Sequence, residues 1–193
     1  MRIIPAPRSS TTSSARAVWC PGSKTCGGVP TISCTGHSLV KAKLRETGAP
    51  FAGEMSGHLF FNDGRWPGFD DGVYAGARIL EILSREADPS AALEALLSAV
   101  NTPELQIRMA EGENKAFIAR LQKEARFDDA LDVITIDGVR VEWNDGFALA
   151  RSSNTTPVVV LRLEGDTPEA LERIKKTFAE VLLKVEPSLE LPF

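Results

Sequence analysis

Hydrophobic positions change period repeatedly along the chain, and each change marks an element. Val29 to Cys34 reads as a short strand, followed by a helical stretch from Leu39 to Thr47. Gly48 just past that stretch, with Pro50 beyond it, is a stop signal for a helix. Phe51 to Met55 and Leu59 to Asn62 read as short strands on either side of Ser56-Gly57-His58. Asp70 and Asp71 are placed to cap a helix in which Tyr74, Ala77, Ile79, Leu80, Ile82 and Leu83 fall mainly on one face. A further helix spans roughly Ser90 to Ala99, and the turn signal Asn101-Thr102-Pro103 after it marks a domain boundary.

Beyond that boundary the pattern describes a self-contained unit. Glu104 to Met109 alternates polar and apolar like a half-buried strand, and Asn114 to Arg126 is helical with Phe117, Ile118, Leu121 and Ala125 on one face. Val133 to Ile136 and Val139 to Trp143 flank Asp137-Gly138, a hairpin signal. Asn144-Asp145-Gly146 turns the chain into Phe147 to Ala150. Val158 to Leu163 is apolar without interruption at its start, which predicts a central strand. Thr167 caps a final helix with Pro168 at its first position and a stripe of Leu171, Ile174, Phe178, Val181, Leu182 and Val185. Strand, helix, strands, helix predicts an α+β layer with its helices on one sheet face.

Residues 1–26 differ from all of this. Pro5, Pro7 and the run from Ser9 to Ser14 leave little apolar surface to offset the entropy of ordering, which predicts a disordered or aberrant leader. The leader has arginines but no apolar segment behind them, so it does not read as a secretory signal. Composition is otherwise that of an ordinary soluble domain, 43% hydrophobic and 25% charged over 193 residues. A net charge of −4 with no cluster of Lys and Arg argues against a nucleic-acid partner, and no apolar run is long enough to cross a bilayer. Cys20, Cys26 and Cys34 are odd in number and not spaced as a Cys-x-x-Cys pair, which points to free thiols in a reducing cytoplasm.

Four loops hold residues with chemistry. Arg151-Ser152-Ser153-Asn154-Thr155-Thr156-Pro157, between two strands, offers the guanidinium, hydroxyls and backbone amides that phosphate needs, although the same residue types also make ordinary turns. In Gly53-Glu54-Met55-Ser56-Gly57-His58 the Glu54 carboxylate can accept from two vicinal sugar hydroxyls, and Ser56 and His58 can donate or accept. Glu54 and His58 equally suit a structural pair. Thr35-Gly36-His37-Ser38 opens a helix, where anions are favoured and where a Ser or Thr cap is equally at home. Gly68-Phe69-Asp70-Asp71-Gly72 has adjacent aspartates that capping explains more simply than a metal.

The order of these four loops resembles the phosphomannomutase/phosphoglucomutase (α-D-phosphohexomutase) family, from about Gly27 to Phe193. The resemblance implies an α/β plus α+β chain. Residues 27–100 would be a partial mixed-sheet α/β/α third domain, and residues 101–193 an α+β fourth domain like the TATA-box-binding protein. It implies that Glu54, Ser56, His58 and His37 read the sugar and that Arg151, Ser153, Asn154 and Thr155 grip a phosphate. It implies a fourth domain that swings about Asn101-Thr102-Pro103 to close over substrate. The implied activity is intramolecular phosphotransfer between hexose 6-phosphate and hexose 1-phosphate, with magnesium and a glucose 1,6-bisphosphate-type activator.

The family's Thr-x-Ser-His-Asn-Pro and Asp-Gly-Asp-Gly-Asp-Arg segments, which carry the phosphoserine and the metal, do not occur in this sequence. The leader stands where the family has a Val-Lys-Cys-Thr-Arg-like strand. The expectation is therefore a truncated, cytoplasmic chain that binds phosphosugar without turnover or catalytic residues of its own, its partner a separate N-terminal half. The alternatives are a non-catalytic phosphosugar-binding or regulatory protein and a generic α+β interaction module.

Overall fold

The computed structural model describes residues 8–12, 29–96 and 99–193. They fall into two compact units, Met1–Ser98 and Ala99–Phe193.

The first unit is built on a four-stranded mixed sheet in the order β2-β1-β3-β4, with β1 at Arg8–Thr12, β2 at Val29–Ser33, β3 at Phe51–Gly53 and β4 at Leu59–Phe61. β1 runs parallel to both β2 and β3, and β3 turns back antiparallel into β4. Helix α1, His37–Thr47, ends as its sequence predicts: Gly48 is left-handed (φ 64°) and its N–H donates to the Leu44 carbonyl. Val40 and Leu44 of α1 are buried with Ala49, Ala52 and Phe60 to form this unit's small core.

Two expectations change here. The leader was expected to be disordered, yet residues 8–12 form the strand between β2 and β3, where both sides of its backbone find partners. Thr11 and Thr12 suit a strand, and backbone pairing on two sides does not depend on an apolar pattern. The remainder of 1–26, including Cys20 and Cys26, lies outside the described residues. Helix α2, Gly72–Leu83, starts as expected, with the Asp71 carboxylate accepting from the Tyr74 N–H, but no residue of it is buried. Val73 is 86% and Leu80 67% exposed, because α2 meets its neighbours through Tyr74, stacked on Trp66 at 4.4 Å, and Arg78 over the Phe61 ring, rather than through its apolar stripe. A short helix α3, Pro89–Glu94, follows with Asp88 as its cap.

The second unit is a six-stranded antiparallel sheet. β5 (Val100–Asn101), β10 (Val158–Gly165), β9 (Gly146–Ser152), β8 (Val139–Trp143) and β7 (Asp132–Ile134) lie in that order, with β6 (Leu105–Arg108) also pairing with β10. Helices α4 (Glu113–Glu124) and α5 (Pro168–Val185) bury Phe117, Ile118, Leu121, Leu171, Ile174, Phe178 and Leu182 against Val141, Trp143, Ala148, Ala150, Val159, Leu161 and Leu163. β10 is central, as its uninterrupted apolar start predicts. Asn101-Thr102-Pro103, expected as a hinge, is instead tied into this sheet. Asn101 belongs to β5, and Thr102 is buried, its N–H donating to Leu163 O at 3.0 Å while Leu163 N–H donates back to Thr102 Oγ1 at 3.2 Å. A polar residue beside a sheet edge can satisfy its groups there as well as in a turn.

The chain's end closes this unit. Leu189, Leu191 and Phe193 pack on the core, and Glu186 accepts from Ser188 Oγ at 2.6 Å and from Arg120 Nη1 at 3.1 Å. The Ser188 hydroxyl, followed by the Arg120 guanidinium, holds the Glu186 carboxyl below its ordinary value. A carboxyl depressed in the folded state stabilises above its unfolded pKa, and that contribution is lost as pH falls through the folded value. The protection factor of the Leu189 amide, taken against the intrinsic exchange rate at each pH, is therefore expected to fall below the usual Glu range, and Glu186→Gln to lower it at neutral pH; an amide equally protected under all these conditions would contradict this. Removing residues 1–12 is expected to abolish amide protection in β2 and β3 while leaving β9 and β10 protected, whereas unchanged protection in β2 and β3 would show that β1 is dispensable.

Candidate functional site

The sugar-type residues are gathered in the first unit by a tight turn and a helix start. β3 and β4 are joined by residues 54–58, closed by the Glu54 N–H donating to His58 O (2.9 Å) and the Gly57 N–H donating to Glu54 O (3.1 Å). Gly57 has φ 89°, a conformation that favours glycine, so the turn depends on that residue. The turn points Glu54 at the start of α1, where Oε1 accepts the Gly36 N–H at 2.8 Å. A carboxylate on the orphan amides of a helix N-terminus is favoured by hydrogen bonding and by the dipole. Ser56 Oγ donates to the other oxygen, Oε2, at 3.4 Å. His37 follows Gly36 directly and is exposed, its Nδ1 3.5 Å from Ser38 Oγ. Glu54, Ser56 and the residues flanking His37 thus form one cluster with exposed hydroxyl and imidazole groups.

His58 reaches a different partner. Its Nδ1 lies 2.9 Å from Asp70 Oδ2 and 3.1 Å from Oδ1. Of the two aspartates expected to cap this helix, Asp71 caps α2 and Asp70 instead orients the imidazole. The carboxylate can only accept, so Nδ1 carries the proton and Nε2 is left for another partner. The link joins residues 12 apart through a bridge between Phe60 and Asp70. Nothing local in Gly-Phe-Asp-Asp-Gly distinguishes one aspartate from the other.

The phosphate-type residues sit in the second unit, at the connection from β9 to β10. The ladder runs to Ser152↔Val159, so Arg151 and Ser152 are still strand, and the loop proper is 153–157. Along β9 the side chains alternate: Ala148 and Ala150 join the core under the helices, which sends Arg151 to the other sheet face. Arg151 is half-buried, and among the described residues its Nε has no hydrogen-bond partner. The loop is folded on Ser153, whose Oγ accepts from Thr155 N (3.3 Å), Thr156 N (3.2 Å) and Thr156 Oγ1 (2.9 Å). Asn154, Thr155 and Thr156 are exposed. A cavity of about 120 Å³ is lined by this loop together with Gly112, Asn114 and Lys115 at the start of α4. Ser153, Asn154 and Thr155 line it; Arg151 does not. Lys115 and Asn114 escaped the sequence reading, because their proximity to the loop depends on the fold and not on spacing. A larger cleft of about 690 Å³ between β6, α4 and the chain's end holds none of the predicted residues.

Among the described residues, no three His, Cys, Asp or Glu side chains gather so as to hold a metal ion. Cys34 is half-buried and in no disulfide among the described residues. No helix among them is long and apolar enough to cross a membrane.

Comparison with known proteins bears on both units. Residues 23–100 match "Phosphoglucomutase/phosphomannomutase, alpha/beta/alpha domain III", and residues 104–181 match "Phosphoglucomutase/phosphomannomutase, C-terminal domain". Similar proteins include a phosphoglucomutase of Neisseria gonorrhoeae, 52% identical over 163 residues, which covers 84% of this chain and 35% of that protein. A phosphomannomutase/phosphoglucomutase of Pseudomonas aeruginosa is 51% identical over 168 residues, covering 86% and 36%. A crystal structure of a phosphoglucomutase/phosphomannomutase family protein from Burkholderia thailandensis superposes with TM-score 0.91 at 54% identity, over 98% of this chain and 40% of that one. The chain therefore spans little more than a third of the length of these relatives. Strand β1 lies outside the residues matched by the two family models.

The imidazole link yields a direct prediction. Asp70→Ala is expected to release His58, so that its 15N imidazole spectrum changes from the Nδ1–H tautomer to a mixture, while α2, capped by Asp71, keeps its helical signal. An unchanged tautomer would show that Asp70 does not hold the ring.

Proposed function

The chain belongs to the phosphoglucomutase/phosphomannomutase family, and from that premise we propose that it is a phosphosugar-binding part of a hexose-phosphate mutase. In this reading Glu54, Ser56, His58 and His37 read sugar hydroxyls, and Arg151, Ser153, Asn154 and Thr155 hold the phosphate that is not being transferred. In this reading residues 27–100 serve as a sugar-reading domain and residues 101–193 as a phosphate-holding one. The activity served is phosphotransfer between the 6- and 1-positions of mannose or glucose phosphate in the cytoplasm. The observations that carry the reading are the clustering of Glu54, Ser56 and the start of α1 in one unit and, in the other unit, a hydroxyl-rich loop at a strand end.

The arrangement has a physical logic. A sugar that must present either end to one reacting group needs contacts that survive the turnover of the sugar. Equatorial hydroxyls and a distal phosphate provide them, and binding energy from such remote parts supports chemistry at the reacting centre. Phosphoryl transfer itself depends on positioning and on cationic stabilisation. A protein with this fold at 14% identity, the N-acetylphosphoglucosamine mutase of Aspergillus fumigatus, has been crystallised with GlcNAc-6P and magnesium. Magnesium and a bisphosphate activator are accordingly proposed for the complete enzyme. The residues of this chain contribute binding: Glu54 accepts from hydroxyls, and Ser153 and Thr155 donate to phosphate oxygens.

Because the Ser-His-Asn-Pro and Asp-Gly-Asp-Gly-Asp-Arg segments do not occur in this sequence, the chain alone is proposed to bind without turnover. Turnover would require those segments. A non-catalytic phosphosugar-binding or regulatory role is the second reading, favoured by the same two missing segments. The test is calorimetric titration with glucose 1,6-bisphosphate beside a coupled mutase assay with magnesium. Binding without turnover is expected, and Arg151→Ala is expected to weaken it roughly 10- to 100-fold, the worth of charge-assisted hydrogen bonds. Turnover by the chain alone would overturn the proposal. Restored turnover on adding a chain with the two missing segments would decide against the regulatory reading.

A further inference from the structure

Asn114 is the second residue of α4 and is 3% exposed. Its Nδ2 lies 3.3 Å from three backbone carbonyls of the phosphate-type loop: Ser153, Thr156 and Val158. Its Oδ1 accepts the Lys115 N–H at 2.9 Å, which fixes which end of the amide faces the loop. One buried amide group thus gathers three carbonyls that are separated from it by 39 to 44 positions in the chain. The Val158 carbonyl also accepts from Ser153 N and the Thr156 carbonyl from Val158 N, both within the loop's own ring of bonds. The Ser153 carbonyl has Asn114 as its hydrogen-bond donor among the described residues.

Carbonyls turned inward onto one donor leave the other side of the loop to its donors. Asn154 N–H has no acceptor among the described residues, and the Ser153, Thr155 and Thr156 hydroxyls cluster on the loop. A loop meant for an oxyanion must present donors and keep its carbonyls away, since a carbonyl oxygen facing a phosphate oxygen repels it. Without Asn114 the Ser153 carbonyl would lose its donor and be free to turn toward solvent, where the ligand arrives, and the Thr156 and Val158 carbonyls would keep only the loop's own bonds.

We propose that Asn114 is the positioning residue of the phosphate loop, holding its carbonyls inward so that hydroxyls and N–H groups face the phosphate. It touches no ligand and acts through Ser153, Thr156 and Val158. The inference rests on the phosphosugar-binding reading above.

The test compares the full chain with Asn114→Asp and Asn114→Ala, titrated with glucose 1,6-bisphosphate. The aspartate is nearly isosteric, so the space stays filled while a carboxylate oxygen replaces the donor facing three carbonyls. Both variants are expected to bind at least roughly tenfold more weakly, the worth of one net hydrogen bond. Backbone 15N shifts should move at 153–158 while amide protection in β8 and the body of α5 is retained. A third variant, Asn114→Gln, keeps a donor on a longer arm and should recover part of the affinity of Asn114→Ala, which a purely structural role would not produce. If the parent binds and the variants bind equally well, Asn114 does not position the loop and this inference fails alone. If a variant loses protection throughout β8 and α5, Asn114 supports the fold as a whole and the inference also fails. If the parent does not bind, the phosphosugar reading fails and takes this inference with it.

Discussion

The antiparallel ladder between β9 and β10 is the constraint on which the second unit depends. Seven pairs, from Gly146↔Gly165 to Ser152↔Val159, fix where the two strands end and therefore where residues 153–157 emerge. The alternation along β9 follows from the same register: Ala148 and Ala150 go to the core and Arg151 to the other face. A slip of one residue would exchange those faces. The closeness of the strands is enforced at Gly146, where a Cβ would meet the Glu164 carbonyl oxygen at 2.2 Å and Ile174 Cδ1 at 2.4 Å. Packing of α5 on this ladder, through Ile174, Phe178 and Leu182, makes the loop's base rigid. Sites built on rigid elements hold their geometry better than sites on free loops.

The first unit solves the corresponding problem with less material. Among the described residues its core is five side chains, and its sheet is completed by a strand that lies outside the residues of the domain III family model. What fixes the sugar-type cluster is local: a glycine at φ 89°, two backbone bonds between Glu54 and its turn, and one carboxylate on a helix amide. The Glu54–Gly36 bond joins the two motifs that the sequence offers separately, so that His37 and Glu54 belong to one place.

Much of this was legible in the sequence, for identifiable reasons. α5 was readable because Thr167, Pro168 and a sustained apolar stripe agree on one answer, and agreement across levels is what specifies structure. α1 was readable from Gly48, which ends it. The strand at 8–12 was not, since Arg-Ser-Ser-Thr-Thr has no alternation and owes its state to backbone partners 21 or more positions away. α2 was located correctly but its burial was not, because an apolar stripe records a preference and not the presence of a covering surface. The roles of Asp70 and Asn114 were invisible for the same reason: each acts through a partner brought near only by the fold. Arg151 was placed in a loop on the strength of its neighbours, whereas pairing with Val160 makes it strand. The loop motifs were legible as an ordered set although none was decisive singly.

The central proposal is that both loops of this chain bind phosphosugar. Backbone 1H–15N shift mapping during titration with glucose 1,6-bisphosphate tests it most directly. The account predicts saturable shifts at two separated stretches, 36–38 with 54–58 and 151–156. Shifts confined to either stretch would contradict the claim.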